Sequence, residues 1–490
     1  MILKQNYVKM KVFQDTQVAQ YLQSIMEKDE QKSRFIQQYL KPLIHSGLFR
    51  ILKGVKTKGF NILSIVQFLA CLPLMGLYSI GAIFPSEYAG FVLCQKDVFY
   101  RLKNNPNLPW RKIVSSISRR FLKLAQTKGE LQVDKKSNSP KCFIFDDTDI
   151  TKTGQKIEGV SKIWSHVQHR SVLGFKALFL GFWDGKSFLP IDFSLHREKG
   201  KKPSKPFGLS LKKLAQQFSK ERQDDQPSKR RKEELDVKKT DMVIQMMQYA
   251  ISQGVKASFV LCDSWFFCEA LLRFVVVKKK MNLIAGVKMG KLTFSYQGKG
   301  YSPKSLLSIT KRKAKFCRKL RMQYIPLMVS YKGIEIQLFF VRYANQTKWR
   351  IIMNSDTKMS FLKTIEIYQI RWCIEVFFKE TKQYLGLGKC QSNDFDAHIA
   401  HISMTCILFM ALALKKRFDC HETIGQLFRH AKLEMTEKTL ATKMWLLFCK
   451  IIQTLTAFFD FDPKILIKKL FDDSFDTQFL NLFDNTPLLE

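Results

Sequence analysis

The chain has 490 residues, 46% of them hydrophobic and 41 of them Phe. That is enough apolar material for roughly two to four domains, and it excludes disorder over most of the length. Lys plus Arg number 81 against 42 Asp plus Glu, and the resulting net charge of +39 exceeds what solubility needs and points to a polyanionic partner. The eleven cysteines are scattered singly, several inside apolar runs (Cys71, Cys262, Cys373, Cys406), without a CxxC pair or a Cys/His spacing suited to zinc. They read as reduced core thiols of a cytosolic protein.

The opening MILKQNYVKMKVFQD is polar and charged, so no secretory signal is expected. Residues 1–135 read as helical. An amphipathic stretch, QVAQYLQSIMEKDEQKSRFIQQYLKPLI, is followed by the apolar segment from Asn61 to Phe84 and then by KDVFYRLKNNPNLPWRKIVSSISRRFLKL. Gln67, Pro73, Gly76 and Gly81 make the apolar segment a buried helical pair rather than a membrane span. Lys96, Arg101, Lys103, Arg111, Lys112, Arg119 and Arg120, set among aromatics, suit either a helix-turn-helix-like DNA reader or a helical bundle with a solvated basic face.

At Lys141 the texture changes. CFIFDDTDI reads as a buried strand, and HRSVLGFKALFLGFWDG and KSFLPIDFSLHREKG as two more, separated by a turn at Asp184 and Gly185. A charged segment, 197–240, holds fifteen Lys or Arg against seven acids and leads to a helix, DMVIQMMQYAISQG, and a further strand, KASFVLCD. Three strands, a helix and another strand is the order of a ribonuclease H-like α/β sheet. Residues 281–350 return to strand periodicity with turns at Gly290, Gly298, Gly300 and Lys332-Gly333, which predicts a β-rich insertion within that core. WRIIMNSD predicts a last strand, HISMTCILFMALALKKR a core helix, and residues 416–490 a helical region suited to dimerisation, with an acidic, Phe-rich tail.

Between these elements stands YQIRWCIEVFFKETK. Tyr368, Arg371, Glu375 and Lys382 fall within an arc of about 60° on a helix, beside an apolar stripe of Ile367, Ile370, Ile374 and Phe378. One carboxylate among a phenol and two phosphate-seeking cations is what metal-dependent cutting of nucleic acid requires, although Arg371 and Glu375 also suit a plain i,i+4 pair. Two more acids end apolar strands. In CFIFDDTD only one of Asp146 and Asp147 can join the sheet's working edge, because neighbouring residues face opposite ways. In FVLCDSWFF, Asp263 needs a metal, a hydrogen bond or water, or else it caps the segment that follows.

FDDTDITKTGQKIEG, LPIDFSLHREKGKKPSKPFGLS, VLCDSWFF and the Tyr-x2-Arg-x3-Glu-x6-Lys helix together resemble the DDE transposases of bacterial insertion sequences, in the group marked by a YREK signature. The resemblance runs from about Cys142 to Gly386. It implies a ribonuclease H-like core, 136–280 and 351–415, interrupted by the insertion. It also implies that Asp147, Asp263 and Glu375 are catalytic metal ligands, Asp147 being preferred to Asp146 because it directly precedes Thr148. Two Mg²⁺ ions, with Mn²⁺ as substitute, would serve cleavage and strand transfer. Tyr368, Arg371 and Lys382 would contact DNA, and Trp349 is the candidate to receive a displaced base. Lys311, Arg312, Lys313 and Arg318, in a run of seven cations without an acid, and the run 199–205 would position the duplex. The expected partners are the inverted-repeat ends of the element, target DNA and a second copy of the chain, in the bacterial cytoplasm at the nucleoid and away from membranes. A nuclease or resolvase without strand transfer, and an idle DNA-binding repressor, are the alternatives.

Overall fold

The computed structural model describes residues 35–129 and 139–436, apart from 45–46, 53, 56–58, 87, 90–91, 93, 291 and 420–422, and also residues 451 and 454. The expected amphipathic helix before residue 35 and the acidic tail lie outside the described residues. Residues 39–429 form one compact unit, and the other unit consists of residues 1–38 and 430–490.

A single mixed sheet organises the larger unit. Strands β1 (Cys142–Thr151), β2 (Ser161–Ser165), β3 (Arg170–Trp183) and β4 (Phe188–His196) come first. Helix α4 (Lys239–Ser252) then leads to β5 (Phe259–Cys262) and β6 (Asn282–Val287). β1 pairs antiparallel with β3 and parallel with β5, β3 pairs antiparallel with β4, and β5 pairs parallel with β6. The resulting order, β4-β3-β1-β5-β6, fits a ribonuclease H-like core, with β2 added on the N-terminal end of β3. Every residue of β4 is buried, as are the first four residues of β1.

The strand-rich stretch 281–350 contributes to this same sheet. β6 is its fifth core strand, and β12 (Arg350–Asn354) lies antiparallel beside it. From β12 the sheet continues through β11 (Ile334–Tyr343) and β10 (Met322–Tyr331) to β7 (Phe294–Tyr296), β8 (Lys299–Tyr301) and β9 (Lys315–Cys317). The β10–β11 hairpin turns at Lys332 and Gly333, whose φ values of 54° and 80° are the two left-handed residues that a tight primed turn needs.

The N-terminal helices pack on the core. Asn61 caps α1 (Ile62–Cys71) by accepting from Leu63 N at 2.8 Å. Pro73 and Gly76, the latter at φ 72°, turn the chain after a short 3₁₀ segment, so one helix stands where a helical pair was expected. After α2 (Lys96–Lys103), α3 (Trp110–Gly129) is fixed to β4 by Arg111, which donates to Asp192 at 2.8 and 2.9 Å and to Glu234 at 2.5 Å. Arg111 therefore serves an internal ion pair, whereas Lys96, Arg101, Lys112 and Arg119 are exposed as expected.

Helices α5 (Phe361–Gln369), α6 (Trp372–Gln383) and α7 (Phe395–Asp419) close the core. α6 buries Ile374, Phe377 and Phe378 against the sheet, with Phe377 5.2 Å from Phe179 and 4.8 Å from Phe409 of α7. α7 is long and apolar enough to cross a membrane, yet 94% of its apolar window is buried in protein, so it is a core helix.

Candidate active site

The parallel β1–β5 seam decides which aspartate meets Asp263. Asp146 and Asp263 each stand two residues past the registered pair Ile144 and Leu261, and therefore share that pair's face at the strand ends. Burial, and then the charges of Asp263 and Asp147, push the Asp146 carboxyl up to about 7. Arg371 Nη1 lies 3.7 Å from Asp146 Oδ2, while Arg371 Nη2 lies 2.6 Å from Glu375 Oε1. One guanidinium thus bridges the first and last acids.

Asp147, the expected ligand, is not on this face. It turns the other way and pairs with Lys239 at 3.0 Å, and Lys239 in turn sits 4.0 Å above the ring of Trp265. Asp263 Oδ1 accepts from Trp265 N at 2.7 Å, so the turn-forming role is realised and occupies one of its two oxygens.

The four signature residues do not share one helix. The chain breaks at Ile370 and Arg371, where Ile370 N, Arg371 N, Cys373 N and Ile374 N all bond back three residues instead of four. This tighter turn separates α5 from α6 and leaves Tyr368 on one and Glu375 and Lys382 on the other. Tyr368 is half-buried, and its hydroxyl donates to Cys262 O at 3.3 Å, so it braces the end of β5. Burial pushes its phenol up to about 12. Lys382 reaches across to β1 and donates to Thr148 Oγ1 at 2.7 Å.

The other sequence candidates lie apart from the acids. Lys311, Arg312 and Lys313 form an exposed 3₁₀ turn and Arg318 is exposed beyond β9, on the outer extension of the sheet, with Lys313 Nζ 3.5 Å from Tyr296 Oη. The run 199–205 keeps its lysines exposed. Elsewhere in 197–240 several cations are tied internally, Arg197 to Asp236 at 2.6 Å, Arg222 to Glu158 at 2.7 Å and Arg231 to Glu234 at 3.1 Å, while Lys212, Lys213, Arg230 and Lys238 are exposed. Trp349 is buried beneath Arg342, 5.1 Å away, and does not face solvent, whereas Trp265 and Trp372 are exposed beside Asp263 and Arg371. Lys239 and Trp265 were missed, and Asp146 was weighed against Asp147 without being chosen, because only the β1–β5 register, a non-local fact, distinguishes the two.

Among the described residues, no three His, Cys, Asp or Glu side chains stand together as a ready cation site. Asp146 and Asp263 nevertheless suit a divalent ion, because like charges crowd at a buried edge. Glu375 is held by Arg371 and would have to exchange that contact.

Residues 122–299 match the family model of the DDE superfamily endonuclease, and residues 235–411 match that of the transposase DDE domain. No curated protein matches the chain. The two matches overlap across β5 and together take in all three strand- and helix-borne acids, and they support a DDE transposase, an enzyme class whose substrate is DNA.

Proposed function

We propose that the protein binds the inverted-repeat ends of its own element as a dimer, nicks them, opens them through hairpins, and joins the excised DNA to a target. The observation that carries this reading is the convergence of Asp146 and Asp263 at adjacent parallel strand ends, with Glu375 joined to Asp146 through Arg371. Asp146 takes the place expected for Asp147.

Bound Mg²⁺, or Mn²⁺ in its place, supplies an activated water or 3′-hydroxyl and a counter-charge for the leaving oxygen. Asp146 and Asp263 would hold the metal, and Glu375, once free of Arg371, would be the third carboxylate of the set. An arriving phosphodiester drives that exchange, because its two oxygens match the guanidinium fork now spent on Glu375. Lys382 holds a neighbouring phosphate as a point charge. Tyr368 positions the Asp263 end of β5. The exposed turn 311–313 and the lysines of 199–205 steer the duplex, and the N-terminal helices contribute to reading the ends. The enzyme acts at the bacterial nucleoid, in the cytoplasm, with no membrane partner.

The test uses the DNA that flanks the coding region. The chain is incubated with a pre-cut element end, a target plasmid and Mg²⁺, with a chelator control. Joined product that disappears with the chelator is expected. Cutting without joining identifies a nuclease or resolvase, and binding without cutting identifies a repressor.

A further inference from the structure

Contacts along the seam between β1 and α6 step outward from the acids. Arg371 approaches Asp146 at 3.7 Å, Lys382 donates to Thr148 at 2.7 Å, and Lys152, just past β1, donates to the carbonyls of Gly388 and Cys390, each at 2.7 Å. Each step carries one cation. The last step opens into a cavity of about 660 Å³, walled by residues 151–154, by the loop 388–393 that follows α6, and by residues 76–82.

The chemistry of that wall is one-sided. Lys152, Lys389, Thr151, Thr153, Gln391 and Asn393 line it, and no Asp or Glu does, in a chain with 42 acids. Lys389 Nζ rests 3.8 Å above the Tyr78 ring, and Lys103 Nζ approaches Cys390 Sγ at 4.0 Å from below. Among the described residues no carboxylate pairs with Lys152 or Lys389. Burial pushes Lys152 down to about 8, the nearby Lys103 ammonium adds to that shift, and the Cys390 side chain opposes it. An anion entering the cavity would oppose it too. From Asp146 to Lys152 the strand advances roughly 20 Å at about 3.3 Å per residue, a span of about six base-pair steps at 3.4 Å.

We propose that this cavity seats the sugar–phosphate backbone of the DNA strand on one side of the scissile bond, with Lys152 and Lys389 as its phosphate contacts. The proposal rests on the reading of the protein as a DNA-cutting enzyme, and it adds the path the strand takes away from the acids. Lys152 also ties the loop 388–393 to β1, so Lys389, whose side chain is exposed, is the better residue to change.

The full chain is acetylated with an N-hydroxysuccinimide ester alone, with a duplex carrying the element's end, or with inorganic phosphate, and each lysine is followed by mass spectrometry. The duplex is expected to slow acetylation of Lys389 and Lys382 together. Lys389→Ala should weaken duplex binding about five- to tenfold and take about one unit from the slope of log affinity against log salt. Protection of Lys382 with Lys389 left reactive overturns the proposal, as does protection of Lys389 by inorganic phosphate alone, which would mark a small-anion site. Cutting is assayed on the same preparation. Cutting with Lys389 unprotected removes the cavity and keeps the enzyme, whereas protection of Lys389 without cutting removes the enzyme and keeps the cavity.

Discussion

The Tyr368 hydroxyl donates to the backbone carbonyl of Cys262 at 3.3 Å, and Cys262 is the residue before Asp263. A tyrosine expected to reach DNA instead holds the strand end from which a candidate ligand projects. Tyr368→Phe should cost about 0.5–1.5 kcal/mol of stability, as the loss of one hydrogen bond does. It should lower the cutting rate while leaving duplex affinity within about twofold. A large loss of affinity at unchanged rate, measured by titration and single-turnover cutting, would return Tyr368 to the role of a phosphate contact.

Gly286 of β6 lies against the same corner. A Cβ at this position would stand 2.9 Å from Ser264 N and 3.2 Å from Tyr368 Oη. The first neighbour is backbone and cannot swing away, so Gly286→Ala must shift the turn that carries Asp263. Overpacking of this kind costs about 1–3 kcal/mol. Cutting is expected to fall by more than the loss of folded protein explains, which parallel melting and rate measurements will show. Unchanged cutting by a folded Gly286→Ala protein would mean that the turn tolerates displacement.

Asp146 and Asp147 offer a sharper comparison, because they differ only in the face they occupy. Asp146→Asn should reduce cutting by about a thousandfold or more with binding of the end retained. Asp147→Asn removes the partner of Lys239 and should cost about 1–3 kcal/mol of stability, with cutting by the folded fraction within about tenfold of the parent. The reverse ranking, read from single-turnover cutting in Mg²⁺, would restore Asp147 as the ligand and require β1 to be turned over relative to β5.

The parts of this site that were legible in the sequence are those set locally. The passage from apolar residues to acid in CFIFDD and FVLCD marks strand ends, because a carboxylate there must leave the core. The spacing of Arg371, Glu375 and Lys382 likewise marks a face that looks toward β1. What stayed hidden depends on partners far along the chain. The choice of Asp146 rests on the pairing of Ile144 with Leu261, the fate of Arg111 on Asp192, 81 residues away, and the burial of Trp349 on Arg342 above its ring. The break at Ile370 and Arg371 has no proline or glycine to announce it, so periodicity alone read α5 and α6 as one helix. β6 looked like the first strand of an insertion because strand periodicity does not say which sheet position a strand takes.

Glu158 shows how the charged segment supports the fold. Its carboxylate is buried between Arg222 at 2.7 Å and Lys232 at 3.1 Å, and it also accepts from Phe395 N at 3.3 Å at the start of α7. Burial opposes the charge, but the hydrogen bonds and charges of Arg222 and Lys232 prevail and lower the carboxyl from 4.5 to about 2. A carboxyl lowered on folding stabilises the native state above its unfolded value of 4.5, and this contribution is lost as pH falls from there toward about 2. The gap corresponds to at most about 3 kcal/mol, reduced in practice because burial pushes Lys232 down in the same pocket. Glu158→Gln should therefore melt lower than the parent by a constant margin from pH 8 to about 5.5, and the margin should shrink below pH 4.5. Melting curves of both proteins across that range check the sign. A margin that widens on acidification would mean that the carboxylate is a burden on the fold and that Arg222 is held by Asp394 and Asp396 without it.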